Sequence, residues 1–184
     1  MPNWSVNNVT VTGKPEMIDK IEEIKFDFYR IIPPPQALVD DCEEYCTVCK
    51  SREFIDKDEH SRRCTKCNVG SNIGGRVSGY ESDKDRYKQL NKTETKLAKS
   101  WRKKYGTDSW YEWNIANWGT KWNSGELVMT REDKNTLTAR FDTAWSPPRP
   151  IFARLSEDYN VRVEVDCEIE GEEDSWRESY GEEV

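Results

Sequence analysis

Two pairs of cysteines have the types and the spacing to do chemistry together: Cys46-Thr47-Val48-Cys49 and Cys64-Thr65-Lys66-Cys67, with fourteen residues between them. Each pair is a CxxC unit. Two such knuckles at the tips of a hairpin supply the four soft donors of a tetrahedral zinc site, and the spacing is close to that of zinc ribbons. The expectation is one structural zinc ion on Cys46, Cys49, Cys64 and Cys67. Four thiolates leave no open coordination position, so a catalytic metal is not expected. Disulfides are the alternative, disfavoured in a reducing cytoplasm. Cys42 and His60 are spare donors, either of which could replace one of the four. Cys167 alternates with core valines and reads as a small buried apolar residue.

Other catalytic equipment is sparse. His60 is the sole histidine, so a Ser-His or Cys-His nucleophile system is hard to assemble. The glycine-rich run Gly70-Ser71-Asn72-Ile73-Gly74-Gly75 lacks the Lys-Ser/Thr of a phosphate loop. These absences predict a protein that is not an enzyme, and they identify no small-molecule substrate.

The second concentration of unusual residues is aromatic. Trp110, Trp113, Trp118 and Trp122, four of the eight tryptophans, lie within thirteen residues. Trp145 follows in Thr143-Ala144-Trp145-Ser146-Pro147-Pro148. One reading packs Trp113, Trp118, Trp122 and Trp145 beneath a sheet, with Lys121 outward. The other makes Lys121, Trp118 and Trp122 a base-stacking or ligand-binding surface. Lys99, Arg102 and Lys103, from a basic segment upstream, join these as candidate binding residues.

The elements that must position these groups follow from periodicity. Trp4–Val11 reads as a strand, with Asn7-Asn8 breaking its alternation as a bulge would. Pro15–Lys25 has helical spacing of Met17, Ile18, Ile21 and Ile24. Pro33-Pro34-Pro35 ends that first unit. Residues 82–105 carry a helical stripe of Tyr87, Leu90, Leu97 and Trp101, with Thr93 as an N-cap after an interruption and Gly106 as a stop. A helix capped by Asp108 or Ser109 runs to Gly119. Leu127–Thr130 and Leu137–Thr143 read as strands, Pro150–Asp158 as a helix, and Val161–Ile169 as the clearest period-two strand.

Without the cysteine-rich stretch the order is βαββαβ. It predicts an α+β ferredoxin-like sandwich, an antiparallel sheet with helices on one face, carrying a small four-cysteine zinc-ribbon-like insertion. Composition places the ferredoxin-like domain at residues 1–38 and 92–184, and the insertion with its basic connecting segment at 39–91. At 184 residues, 35% hydrophobic and 34% charged, the core must be small. No apolar run approaches the roughly 18 residues that would span a bilayer. Met1-Pro2-Asn3-Trp4 lacks the pattern of a signal peptide. A soluble cytoplasmic protein is the expectation.

Charge is segregated along the chain. Residues 84–104 hold nine basic residues against Asp85 and Glu94, whereas residues 164–184 hold ten acidic residues against Arg177. The first reads as a solvated helix or a nucleic-acid face. The second reads as a frayed acidic tail or a face for a basic partner.

Several of these segments resemble the YubB-type ferredoxin-like domain family of phage, plasmid and prophage proteins. They are the opening Met1-Pro2-Asn3-Trp4 with Asn8, Val9, Val11 and Gly13, and Ile31-Ile32-Pro33-Pro34-Pro35. Trp110-Tyr111-Glu112-Trp113, Asn117-Trp118-Gly119-Thr120-Lys121-Trp122 and the Thr143–Pro148 motif complete the set. The similarity covers roughly residues 1–38 and 92–170; the cysteine-rich insertion departs from it. It implies a ferredoxin-like fold and a mobile-element accessory protein, and it brings no catalytic residues. The function expected is a non-catalytic binding module that engages and modulates a host protein. The alternative is a nucleic-acid-binding protein using the zinc insertion and residues 84–104, against which a pI near 5.0 weighs.

Overall fold

The computed structural model describes residues 3–39, 46, 49, 51–58, 61–70, 73–78, 82–171 and 175–182. Cys42 and His60 lie outside the described residues. In chain order the first elements are β1 (Trp4–Thr12), α1 (Pro15–Ile24) and α2 (Phe28–Ile31). Then come α3 (Gln36–Val39), β2 (Phe54–Asp58), β3 (Ser61–Cys64), α4 (Ile73–Arg76), α5 (Asp83–Arg86) and α6 (Lys92–Tyr105). The last are α7 (Trp110–Trp118), β4 (Gly125–Arg131), β5 (Thr136–Ala144), α8 (Arg149–Tyr159), β6 (Arg162–Ile169) and β7 (Trp176–Tyr180).

The chain divides into two compact units, residues 1–33 with 114–184, and residues 34–113. The boundaries differ from those expected at 38/39 and 91/92. Helix α6 belongs with the insertion, because its buried side is bonded to the cysteine-bearing loop, as described below.

The first unit is ferredoxin-like. Its antiparallel sheet has the order β4-β5-β1-β6-β7, with β1 central. Val9 faces Ala139 on one side and Val165 on the other, so three strands put small or branched residues in register. Ile18, Ile21 and Ile24 of α1, and Ile151, Phe152 and Leu155 of α8, are buried with Val9, Val11, Leu137, Phe141, Val163 and Val165. Hydrophobic burial on one face is what holds such a sheet. The other face is polar, with Asn8, Thr10, Thr138, Arg140, Glu164 and Asp166 lining a shallow groove of about 670 Å³.

Two details depart from expectation. Strand β1 has no bulge; its pairing to both neighbours is continuous. Asn7 is instead a buried residue on the helix-facing side, and its Nδ2 donates to Ser5 O at 2.9 Å, Phe141 O at 3.2 Å and Thr143 Oγ1 at 3.0 Å. The acidic C-terminal segment is also no mere tail. Trp176–Tyr180 pairs with β6 as an edge strand, Arg177 bonds Asp166 at 2.8 Å, and the Tyr180 ring lies 6.0 Å from that of Phe152.

The second unit is built on the β2–β3 hairpin, which pairs Phe54 with Cys64. Helix α6 begins with a capping box on Asn91, not on Thr93: Asn91 Oδ1 accepts from the N–H groups of Thr93 and Glu94, and Glu94 accepts from Asn91 N–H. Gly106, at φ +81°, closes it as expected.

Candidate metal centre and aromatic platform

The insertion brings its cysteines together. The Sγ atoms of Cys46, Cys49, Cys64 and Cys67 all lie within 4.8 Å of one another. Cys46 Sγ is 3.4 Å from Cys67 Sγ, and Cys49 Sγ is 3.6 Å from Cys64 Sγ. A metal–thiolate distance of about 2.3 Å requires tetrahedron edges of about 3.8 Å, so this donor set fits a tetrahedral metal ion. Cys46 and Cys64 are buried, which excludes water from two of the four ligands.

Local backbone geometry explains the convergence. Cys46 N–H donates to Ser51 O at 2.7 Å and Cys64 N–H to Val69 O at 2.9 Å, so each of these cysteines is tied to a carbonyl five residues on. Asn68 completes the second knuckle with φ +59°, a left-handed turn that asparagine tolerates. Burial opposes ionisation of Cys64, but the Cys67 and Lys66 backbone groups and the neighbouring thiols outweigh it and lower its pKa to about 7. Burial pushes Cys67 up to about 12.

The second knuckle is bolted to α6 through one carboxylate. Glu94 is fully buried and accepts from Gly70 N–H at 2.7 Å, from Arg63 Nη1 at 3.1 Å and from Arg76 Nη2 at 3.1 Å. Asn91 Nδ2 donates to Asn68 O at 2.8 Å. Burial raises the Glu94 pKa, but Arg76 and the Asn91 and Gly70 N–H groups outweigh it and leave it below the ordinary value. A further buried network joins Arg86 Nη1 to Asp108 at 2.8 Å, Arg86 Nη2 to Glu112 at 2.6 Å and Tyr87 Oη to Asp108 at 2.7 Å. Lys99, Arg102 and Lys103 lie on the exposed side of α6.

In the ferredoxin-like unit, only part of the tryptophan cluster packs inward. Trp118 is fully buried, its Nε1–H donates to Ile32 O at 2.8 Å, and its ring meets Phe28 at 5.7 Å. It is a core residue and not part of a surface. Trp122 and Trp145, expected beneath the sheet, are 39% and 41% exposed, and Trp4 is 39% exposed. Trp4 and Trp122 have ring centroids 6.2 Å apart. Lys121 Nζ stands 4.2 Å from the Trp122 centroid and 5.3 Å from that of Trp145.

The polar residues of the two motifs hold this platform in place. Thr120 Oγ1 donates to Ala144 O at 2.9 Å, and Ser146 Oγ to Gly119 O at 2.6 Å. Asn114 Nδ2 donates to Lys121 O at 2.9 Å. Gly119 turns at φ +79°, where a Cβ would meet Pro150 Cδ at 3.1 Å and Pro147 O at 3.3 Å. Trp145 itself sits at φ +71°, tied by its N–H to Asn3 O at 2.8 Å. A left-handed conformation is costly for a bulky residue, so the surrounding bonds must enforce it. Sequence reasoning missed Trp4 and Trp145 as surface residues; the tight-turn signature Trp-Gly-Thr was the available hint that the chain reverses between Trp118 and Trp122.

The sheet order and the four-cysteine cluster together define a ferredoxin-like α+β protein carrying a metal-competent, zinc-ribbon-like insertion. Residues 117–177, which hold both platform motifs, match the family model described as "Ferredoxin-like domain in Api92-like protein". The crystal structure of the protein api92 from Yersinia pseudotuberculosis is similar in fold, with a TM-score of 0.52 at 14% identity over 98% of this chain and 95% of that one. No curated protein matches the sequence. No helix among the described residues is long and apolar enough to cross a membrane.

Proposed function

We propose that this chain is a non-catalytic binding protein of a bacteriophage or related mobile element, acting in the host cytoplasm on a host protein. Its metal is zinc, in a structural role. The observation that carries the reading is the platform of Trp4, Lys121, Trp122 and Trp145: large rings held at the surface by the Thr120–Ala144 and Ser146–Gly119 hydrogen bonds. Tryptophan is enriched among the residues that dominate protein–protein affinity, and rings fixed before binding lose little entropy on contact. The mobile-element assignment rests on the likeness of the quoted motifs to the YubB-type family. Zinc is favoured because four thiolates in a tetrahedron suit it and leave no position for substrate.

The test compares the protein with a Trp122→Ala/Trp145→Ala variant in crosslinking capture from several hosts. Each interfacial tryptophan is expected to contribute about 2 kcal/mol, about thirtyfold in affinity, so the variant should lose the specific prey. Identical capture by both proteins, or none by either, would contradict the reading.

A further inference from the structure

The exposed side of α6 is a line of cations. Lys92, Lys96, Lys99 and Lys103 are spaced four, three and four residues apart, which puts all four on one stripe of the helix. At 1.5 Å per residue the stripe is about 17 Å long. It lies diametrically opposite the buried stripe of Glu94, Ala98 and Trp101, and all four lysines are exposed. None has a carboxylate partner among the described residues. The one acidic residue of the helix, Glu94, is buried and spent on Arg63 and Arg76.

This arrangement works against the helix. Lys92–Lys96, Lys96–Lys99 and Lys99–Lys103 are like-charged neighbours, each destabilising, where alternating Glu and Lys would stabilise. Lys92 also opens the first turn, where the helix dipole disfavours a cation. Residues 34–113 hold sixteen basic and fourteen acidic residues, whereas the rest of the chain holds twelve and twenty-one. A cationic stripe thus persists in a protein of net charge -7. Over a screening length of about 8–10 Å the local field, not the net charge, decides what approaches.

We infer that the Lys92–Lys103 stripe is a binding site for the phosphate backbone of duplex nucleic acid, with the four-cysteine knuckle and Glu94 holding α6 in position. The stripe is flanked by the hydroxyl residues Thr93 and Ser100 and carries no exposed aromatic or aliphatic anchor; the Tyr87 ring, 5.1 Å from Lys99 Nζ, is buried. Lysine with Ser/Thr is the usual phosphate-contacting set. A membrane surface or a protein interface would call for apolar residues beside the charges, and lysine is depleted at protein interfaces. This site uses none of the residues of the tryptophan platform and would be a second activity of the chain.

The test is fluorescence anisotropy with the metal-loaded full chain and a labelled mixed-sequence DNA duplex, between 50 and 200 mM salt. Four phosphate contacts predict a slope of log K against log salt near -3.6, so a loss of about a hundredfold across that range. Lys96→Gln/Lys99→Gln/Lys103→Gln should reduce the slope to about -1, with circular dichroism and metal content unchanged. Trp122→Ala/Trp145→Ala should bind the duplex like wild type. The inference is overturned if no duplex binds at 50 mM salt, or if the triple variant keeps slope and affinity. It is equally overturned if polyglutamate-coated or anionic-lipid surfaces capture the protein while the duplex does not.

Discussion

Trp145 occupies a backbone region that costs a bulky residue energy, and the bonds around it show what maintains it. Its N–H is held by Asn3, the preceding carbonyl by Thr120, and the following hydroxyl by Gly119. Gly119 is the residue on which this turn depends. Gly119→Ala would place a Cβ at positive φ, which costs about 1–2 kcal/mol, and against Pro147 and Pro150 besides. We expect a loss of about 2 kcal/mol or more in denaturant unfolding, with Trp122 and Trp145 fluorescence more solvent-quenched before the transition. An unchanged midpoint would mean the turn is not holding the platform. At this scale the sequence was legible only in part. Aromatic content and the Gly-Thr turn marked the cluster, and Trp118 inside a helix had to be core. The side on which Trp122 and Trp145 emerge depends on two left-handed turns and on a hydrogen bond that Thr120 Oγ1 donates across the chain to the Ala144 carbonyl, which no periodicity encodes.

Elements whose signal is burial were readable, and those whose signal is pairing were not. Strand β6, with Val163, Val165 and Cys167 buried, was plain because one face is apolar. Strand β7 was not: Trp176-Arg177-Glu178-Ser179-Tyr180 has two aromatic anchors and otherwise charge, which suits an edge strand and equally a tail. Helix α6 was legible as a helix, but its N-cap is set by Glu94, which has to serve as core and cap at once. Glu94→Gln removes the charge facing two arginines and one of the two oxygens that accept from them and from the Gly70 and Asn91 N–H groups. Breaking such a pair from one side costs about 3 kcal/mol. Glu94→Gln should show that loss at pH 7 in the unfolding of residues 34–113. The folded pKa of Glu94 lies below its unfolded value near 4.3. Its stabilisation is therefore fully present above that pH and disappears as pH falls through the lower folded value. Because thiolates give up metal to protons in acid, the wild type and Glu94→Gln are compared between about pH 6 and 8, where Glu94 stays ionised and the deficit should be constant. A deficit that varies across that window would assign the loss to another group.

Across the whole molecule, two units of different construction share one chain. The ferredoxin-like unit is held by a sheet with a continuous apolar face. The unit at 34–113 has a thin apolar core of Leu38, Val69, Ile73, Val77, Tyr87, Ala98, Trp101 and Trp113 among the described residues, besides the buried Cys46 and Cys64. Ordering a residue costs about 1.5 kcal/mol. Four thiolates closing on a metal ion such as zinc would contribute on the order of 10–16 kcal/mol, so metal binding is expected to stabilise that unit. Its existence was legible from cysteine spacing alone. Its extent was not, because the buried carboxylate that recruits α6 reads in sequence as one more surface charge. Cys64→Ser/Cys67→Ser should abolish bound metal and confine new protease cleavage to residues 34–113; cleavage spread through both units would contradict that division.

The tryptophans themselves report on both units. Trp101, Trp110 and Trp113 belong to the unit at 34–113, and Trp4, Trp118, Trp122, Trp145 and Trp176 to the ferredoxin-like unit. A proton–nitrogen correlation spectrum should resolve eight indole N–H signals, and chelation of the metal at neutral pH is the direct perturbation. We expect the three signals of the first group to collapse toward unfolded positions while the five of the second stay in place. If all eight collapse together, or if none moves once the metal is gone, the metal does not order the insertion and the two units are not independent in the way proposed.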